Sequence, residues 1–321
     1  MKGFEELSKE FSKRFSINHF PSHPSSLYEP AAYFLGLGGK RIRPVLCLMG
    51  NELFDEINPD AWQVAVAIEL FHNFSLIHDD IMDRAPLRRG MPTVHEKYGG
   101  PAALLSGDVM LVVAYNYINK ISPSYLQKVM HIFNKTAMQV CEGQQTDMDF
   151  EMKEEVSLQD YLQMIELKTS VLLAASLQMG AILGGAGERN CHHLYEFGKN
   201  LGLAFQVQDD YLDAYGDPSK FGKQVGGDIV SNKKTFLFIK TLESASPSQI
   251  LEIKDLIRTN PPDKVEKVLR IFSLCGVDSW AKELREEYLS RAMRHLDEVA
   301  VLSRRKEPLL QLAKFLVQRE Y

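Results

Sequence analysis

Apolar residues at helical spacing fill almost every segment between the glycine and proline breakers of this 321-residue chain. No convincing run of alternating apolar and polar residues competes with that pattern, so we predict an all-α fold. We find no linker long enough to divide domains and expect one large helical domain over residues 1–321, with central helices that other helices surround. The predicted helices run near 4–16, 26–35, 42–54, 60–83, 101–119, 124–150, 158–185, 191–215, 234–244, 248–258, 263–275, 278–301 and 305–319.

The composition disfavours several classes of protein. Lys and Arg number 37 against 42 Asp and Glu, a net charge of −5, so we expect no nucleic-acid partner. No continuous apolar run reaches the ~18–20 residues of a bilayer span. The charged N-terminus lacks the apolar core of a secretory signal. We expect a cytoplasmic protein that is not integral to a membrane, with its four separated cysteines as small core residues.

The acidic pattern DDxxD occurs twice, 130 residues apart, each time at the end of a predicted helix. The six residues are Asp79, Asp80 and Asp83, then Asp209, Asp210 and Asp213. The last turn of a helix is electronegative, so carboxylates there repel the helix dipole and one another. Magnesium suits such oxygen ligands and bridges them to phosphate. A solvated acidic helix end is the alternative for one motif alone, but both motifs follow apolar helices.

Basic residues that suit phosphate accompany the acidic clusters. They are Lys40, Arg41 and Arg43 beside Gly38-Gly39, Arg88 and Arg89 after the first cluster, and Lys168, Lys223, Lys233 and Lys234 further along. Each alone is more often a solvated charge. Together they favour a diphosphate, which arginine binds with two N–H groups and lysine as a point charge. The sequence contains no P-loop, no G-x-S-x-G and no H-E-x-x-H motif.

This combination resembles the trans-isoprenyl diphosphate synthases of the polyprenyl synthetase family. The matching features extend from about residue 28 to 235: both DDxxD motifs, GGKRIRP, Arg88-Arg89, Lys168-Thr169, Phe205-Gln206, and Gly226-Gly227-Asp228 with Lys233. The resemblance implies the isoprenoid synthase fold, in which central helices surround an apolar active-site cavity. It also implies a short-chain prenyltransferase, usually homodimeric, that joins an allylic diphosphate (dimethylallyl, geranyl or farnesyl) to isopentenyl diphosphate. The chain after about residue 240 has no motif that we can match.

The resemblance also implies a role for each candidate residue. Asp79, Asp83 and Asp209 would bind magnesium, three ions in all, with Asp80, Asp210 and Asp213 supporting them or the metal waters. The allylic diphosphate would meet Arg88, Lys168, Lys223 and Lys233, and isopentenyl diphosphate would meet Lys40, Arg43, His72 and Arg89. Thr169 and Gln206 would direct oxygen dipoles at the carbocation, and the segment from Gly216 to Lys234 would close over the phosphates. His72 is seven residues before Asp79 on the same helical face, which agrees with its role; a core histidine is the alternative.

Product length is expected to depend on Phe71, Phe74 and Ser75, which stand eight, five and four residues before Asp79. In the family, bulky residues at four and five positions before this motif accompany short products. Ser75 departs from that pattern, so we expect a geranylgeranyl product first, farnesyl second and a longer chain third. Simple core packing is the alternative for either phenylalanine.

Three other functions remain to be compared with this one. A class I terpene cyclase would replace the second DDxxD by an Asn/Ser/Glu motif and would not need GGKRIRP. A head-to-head synthase would likewise lack that basic turn. A non-catalytic regulatory subunit of a prenyl synthase should have lost motif aspartates, whereas all six are present here.

Overall fold

The computed structural model describes residues 1–16, 18–216 and 226–318, and its elements are almost all helices, which confirms the all-α prediction. In chain order they are α1 (Phe4–Phe15), α2 (Ser25–Gly36), α3 (Ile42–Glu52), α4 (Pro59–Met82), β1 (Leu87–Arg88), β2 (Met91–Pro92), α5 (Val94–Tyr98), α6 (Gly100–Ile118), α7 (Pro123–Met152), α8 (Leu158–Ile165), a π-helical turn (Glu166–Ser170), α9 (Val171–Leu183), α10 (Glu188–Tyr215), α11 (Gly227–Val230), α12 (Phe236–Ser244), α13 (Pro247–Thr259), α14 (Lys264–Leu274), α15 (Val277–Glu298) and α16 (Ser303–Gln318).

The chain forms two compact units. The first contains residues 1–135, 175–195 and 299–309. Its central helix is α4, which packs along α3 and α6. Every residue from 64 to 71 is buried, so α4 is covered on all faces, as the sequence pattern predicted. Gly180 lets α9 approach α3 closely, because a Cβ atom there would lie 1.9 Å from the Cys47 carbonyl oxygen.

The second unit contains residues 136–174, 196–298 and 310–321. Helix α12 packs against α8, α14 and α15. The buried ring of Phe236 on α12 lies 6.2 Å from the Tyr161 ring and 5.9 Å from the Trp280 ring, measured between centroids. The single domain over 1–321 stays a prediction.

The end of α4 determines where the first acidic motif stands. Arg84 has a positive φ of 51°. The Ala85 N–H donates to the Asp80 carbonyl and the Arg84 N–H to the Ile81 carbonyl, at 3.0 and 3.3 Å. These two bonds form a Schellman motif, which ends the helix and turns the chain back.

A short hairpin, formed by β1 and β2, follows this turn and was not predicted. Its two-residue loop, Arg89-Gly90, has positive φ at both positions, which is the type I′ geometry. Two-residue strands are too short to show alternation, so no strand could be predicted from the residue pattern. The π-helical turn inside the predicted 158–185 helix was also missed, because one wide turn barely disturbs helical periodicity.

The expectation for the four cysteines needs correction. Cys47 and Cys191 are buried, but Cys141 is exposed on the outer side of α7 and Cys275 is half-buried, so not all cysteines are core residues. Two stretches, Gly100–Ile118 and Leu158–Leu183, are long and apolar enough to cross a membrane, although no continuous apolar run suggested one. In the most apolar 18-residue window of the second stretch, 67% is buried, and the core helix of a soluble protein is mostly buried too. The absence of a membrane span stays a prediction.

Candidate active site

The first acidic motif ends α4 in the first unit and contains two kinds of aspartate. Asp80 is buried, and the Arg88 guanidinium from the hairpin donates to it through Nη2 at 2.7 Å and Nε at 2.8 Å. Burial raises the pKa of Asp80, and the hydrogen bond from Arg88 partly offsets that rise. Asp79 is half-buried and Asp83, the C-cap, is exposed. Arg88 therefore fixes the middle carboxylate and leaves the outer ones nearer to solvent.

The second motif, on α10 in the second unit, repeats this arrangement with different partners. Asp210 is buried and accepts hydrogen bonds from the Tyr161 hydroxyl and from Gln206 Nε2, the latter at 2.9 Å. Burial, followed by the charge of Asp228, raises the pKa of Asp210 to about 7. Asp209 and Asp213 are half-buried. The middle aspartate is again the buried one, and side chains of the protein donate to it.

The donor set fits magnesium that is shared with phosphate. Within residues 1–16, 18–216 and 226–318, no group of three or more His, Cys, Asp or Glu side chains is placed to hold a metal ion alone. Magnesium is commonly bound by one or two carboxylates, several waters and substrate phosphates, so an all-protein cage is not required. The outer aspartates supply suitable hard oxygens. The metal roles of all six stay predictions.

The predicted catalytic residues lie in the second unit, with Lys168 and Thr169 on the π-helical turn and Gln206 on α10. Lys168 pairs with Asp147 of α7 at 2.6 Å, and the Thr169 hydroxyl donates to Gln206 Oε1 at 3.3 Å. Gln206 also bonds Asp210, so one network joins the turn to the second acidic motif. Isolated π turns are frequent at functional sites.

Two glycines allow this turn to approach its neighbours. A Cβ atom at Gly143 would lie 2.4 Å from the Lys168 backbone nitrogen, and one at Gly202 would lie 2.7 Å from the Ser170 Cα. Sequence reasoning missed both glycines, together with Asp147 and Tyr161. No local motif marks these residues, because their importance depends on which helix each one faces.

A basic cluster occupies the first unit beside the turn at Gly38-Gly39. Arg43 Nη1 donates to His72 Nε2 at 3.2 Å, and Arg89 Nη1 donates to the Gly38 carbonyl. Lys40 follows the turn and is exposed. The structure thus brings the predicted residues Arg43 and His72 into contact and places Arg89 on the turn that carries Lys40.

The electrostatics of this cluster suit an anion. Burial lowers the pKa of Arg43 to about 10, and within the described residues its buried Nε has no hydrogen-bond partner. Burial, followed by the charges of Arg43 and Arg89, holds the pKa of His72 well below its usual value. A diphosphate would supply the missing acceptor and negative charge. Arg41 differs, since it is buried in an ion pair with Glu69, which the sequence did not single out.

The residues predicted to control product length lie on one stripe of α4. Phe71 is buried, its ring 5.6 Å from the Phe74 ring and 5.4 Å from the Phe133 ring of α7. The Phe74 ring lies 4.8 Å from the imidazole of His78, which the sequence prediction did not include. The Ser75 hydroxyl donates to the His72 carbonyl at 2.9 Å, so it is bonded within its own helix.

The remaining predicted cations, Lys223, Lys233 and Lys234, follow the second acidic motif in the chain. Lys223 lies outside the described residues, as do all of residues 217–225 in the segment predicted to close over the phosphates. Lys233 is exposed. The Lys234 ammonium donates to the Phe150 carbonyl at 2.6 Å, where α7 ends, which gives that lysine a structural role.

The chain is similar to known proteins over most of its length. A family model described as polyprenyl synthetase matches residues 24–275. The geranylgeranyl diphosphate synthase of Methanosarcina mazei is 37% identical over 302 residues, 94% of this chain and 92% of that protein. That of Saccharolobus solfataricus is 36% identical, with 98% of both chains covered. A crystal structure of a geranylgeranyl pyrophosphate synthase matches with a TM-score of 0.94 and 40% identity, covering 100% of both chains. The chain belongs to the polyprenyl synthetase family, with its all-α isoprenoid synthase fold.

The two aspartates Asp80 and Asp83 are expected to differ in their effect on stability. Asp80→Asn should lower the free energy of unfolding by about 1–3 kcal/mol, because Arg88 then loses a buried carboxylate. Asp83→Asn, at an exposed position, should change it by less than about 0.5 kcal/mol. Chemical denaturation in EDTA measures both variants. Equal losses would contradict the different roles of the two side chains.

The imidazole of His72 is expected to titrate below the ~6.5 of a histidine in an unfolded chain. The folded state then holds fewer protons than the unfolded state, so His72 makes the fold less stable as the pH falls below that value. Ring ¹⁵N NMR measures the titration, with His72→Asn identifying the resonance. Adding inorganic diphosphate should raise the pKa, since the anion favours the imidazolium. Titration at or above ~6.5 without the anion would contradict this prediction.

Proposed function

We propose that this protein is a magnesium-dependent trans-prenyltransferase that joins an allylic diphosphate head-to-tail to isopentenyl diphosphate and releases geranylgeranyl diphosphate. The observation that carries the proposal is the arrangement seen in both DDxxD motifs, where protein donors hold the middle aspartate and the outer ones lie nearer to solvent. Relatives named geranylgeranyl diphosphate synthase, at 36–37% identity, support the reaction and the C20 product.

Magnesium, when bound, would neutralise the charge that develops on the leaving diphosphate. Three ions are expected, held by Asp79, Asp83 and Asp209, with Asp80, Asp210 and Asp213 in support. Arg88, Lys168, Lys223 and Lys233 would add positive charge around the same diphosphate. This electrostatic stabilisation favours breaking the allylic C–O bond, which leaves a delocalised carbocation and needs no protein nucleophile.

The chain's own residues would then guide the carbocation. The oxygen atoms of Thr169 and Gln206, already hydrogen-bonded to each other, can direct their negative dipole ends at it without forming a bond. Lys40, Arg43, His72 and Arg89 would hold isopentenyl diphosphate so that its double bond attacks the cation. After the new C–C bond has formed, the resulting cation would lose a proton to the released diphosphate. Water must be excluded from this step, because it would quench the cation.

We expect the two units to act together as one synthase domain in a cytoplasmic homodimer. Helix α6 supports the dimer, since it leaves Leu104, Leu105 and Val112 at least half exposed. Apolar side chains grouped on one helix are typical of a covered surface.

The reaction itself is tested by incubating the protein with isopentenyl diphosphate and dimethylallyl, geranyl or farnesyl diphosphate. We expect each starter to be extended to a C20 diphosphate. EDTA should lower the rate by at least about a hundredfold, because the leaving group loses its compensating charge, and excess magnesium should restore it. Chromatography measures the products. A cyclic hydrocarbon, or no condensation, would overturn the proposal, whereas a C15 or C25 product would overturn only the chain length.

Product length is expected to increase in Phe71→Ala and Phe74→Ala. Phe71 lies eight residues before Asp79, ~12 Å along the helix axis, a distance of a few isoprene units. Replacing either phenylalanine side chain by a methyl group would open space beyond the end of the growing prenyl chain. Phe315→Ala, at an exposed position on α16, is the control and should keep the C20 product. Unchanged products from both α4 variants would show that neither ring limits the length of the product.

A further inference from the structure

A buried lysine holds together the segment that follows the second acidic motif. Lys264, the first residue of α14, has only 3% of its surface exposed. Its ammonium donates to the Val230 carbonyl at 3.2 Å, Asn232 Oδ1 at 2.6 Å and Asn260 Oδ1 at 3.1 Å. These three bonds use all the donors of an ammonium group, and each acceptor is a neutral oxygen. Because these three oxygen atoms replace water around a buried charge, moving one of them away would leave the ammonium group short of an acceptor, which is unfavourable.

Two of the three acceptors are asparagines with an unusual backbone conformation. Asn232 and Asn260 have positive φ values of 58° and 43°, a conformation that asparagine tolerates better than most residues. Helix α14 also contacts the start of the same stretch, because a Cβ atom at Gly226 would lie 2.5 Å from Val265 Cγ1. Helix α14 therefore contacts the segment 226–232 near both of its ends.

This segment connects the second acidic motif to Lys233. The Gly226 N–H donates to the Asp213 carbonyl at 2.6 Å, and the Asp228 N–H donates to Asp213 Oδ2 at 2.9 Å. The Lys233 N–H donates to the Asp228 carbonyl at 2.9 Å. The backbone at Lys233 is thus connected to Asp213 through a short chain of hydrogen bonds. Lys264 binds the turn at 230–232, which lies just before Lys233.

We propose that Lys264 is a positioning residue for the diphosphate site, which fixes the turn at 230–232 and thereby the place of Lys233 relative to Asp213. The inference rests on the proposed function, in which Lys233 and Asp213 serve the allylic diphosphate and its metal. It gives a role to the C-terminal part of the chain, where no sequence motif could be matched.

Binding of inorganic diphosphate with magnesium, measured by isothermal titration calorimetry, tests this role without turnover. Lys264→Met should raise the Kd for diphosphate by about five- to tenfold, because Lys233 is no longer held in place. The KM for the allylic substrate should rise similarly, while the KM for isopentenyl diphosphate stays unchanged. Lys267→Met is the matched control: Lys267 lies one turn further along α14, is half-buried and pairs with Asp263 at 2.9 Å, and its loss should change neither value.

A double-mutant cycle separates positioning from general destabilisation. In a Lys233→Ala background, Lys264→Met should weaken diphosphate binding by less than about twofold, since the residue it positions is gone. If the double variant's increase in Kd equals the product of the increases in the two single variants, the proposal is overturned. An unchanged Kd in folded Lys264→Met would overturn it as well. If Lys264→Met does not fold, Asn260→Gly keeps the positive φ, removes one acceptor, and should raise the Kd by about two- to threefold. An unchanged Kd there would likewise overturn it.

The outcomes for the two proposals are distinct. Wild-type protein that binds diphosphate but makes no prenyl product would overturn the proposed function and leave the positioning test readable. Wild-type protein that makes the product, with Lys264→Met binding diphosphate equally well, would overturn the positioning role alone. Wild-type protein that binds no diphosphate would overturn both.

Discussion

Repulsion among carboxylates at the C-terminal ends of two helices is the constraint on which this site depends. The helix dipole opposes negative charge there, and neighbouring aspartates add to the cost. The protein reduces this cost by burying the middle aspartate against dedicated donors, Arg88 for Asp80, and Tyr161 with Gln206 for Asp210. The outer aspartates lie nearer to solvent, where a divalent cation would add compensating positive charge. The same solution in both motifs, with unrelated partners, favours a shared purpose.

Close backbone approach positions the residues expected to face the carbocation. A widened helical turn at 166–170 carries Lys168 and Thr169, and glycines at positions 143 and 202 let α7 and α10 come near it. The neighbouring helices then supply Asp147 to Lys168 and Gln206 to Thr169. A larger residue at either glycine would collide with backbone or Cα atoms, so helix packing and site geometry are set by the same contacts.

Much of the fold and part of the site could be predicted from the sequence. Helical periodicity predicted the all-α architecture, and the family resemblance selected residues that the structure does bring into contact, such as Arg43 with His72 and Thr169 with Gln206. The sequence could not separate Arg41 from Arg43, or Lys234 from Lys233. One member of each pair is taken up by a distant partner, Glu69 or the end of α7, and periodicity contains no information about such contacts.

The sequence by itself determined the helical class, the family resemblance and the chemistry that each motif can support, because these depend on residue types at short spacing. Only the tertiary structure decided which aspartates are buried, which cations are already paired and how Lys264 reaches the turn before Lys233. Burial and pairing depend on residues far apart in the chain. Their free energies follow from packing, which local spacing does not encode.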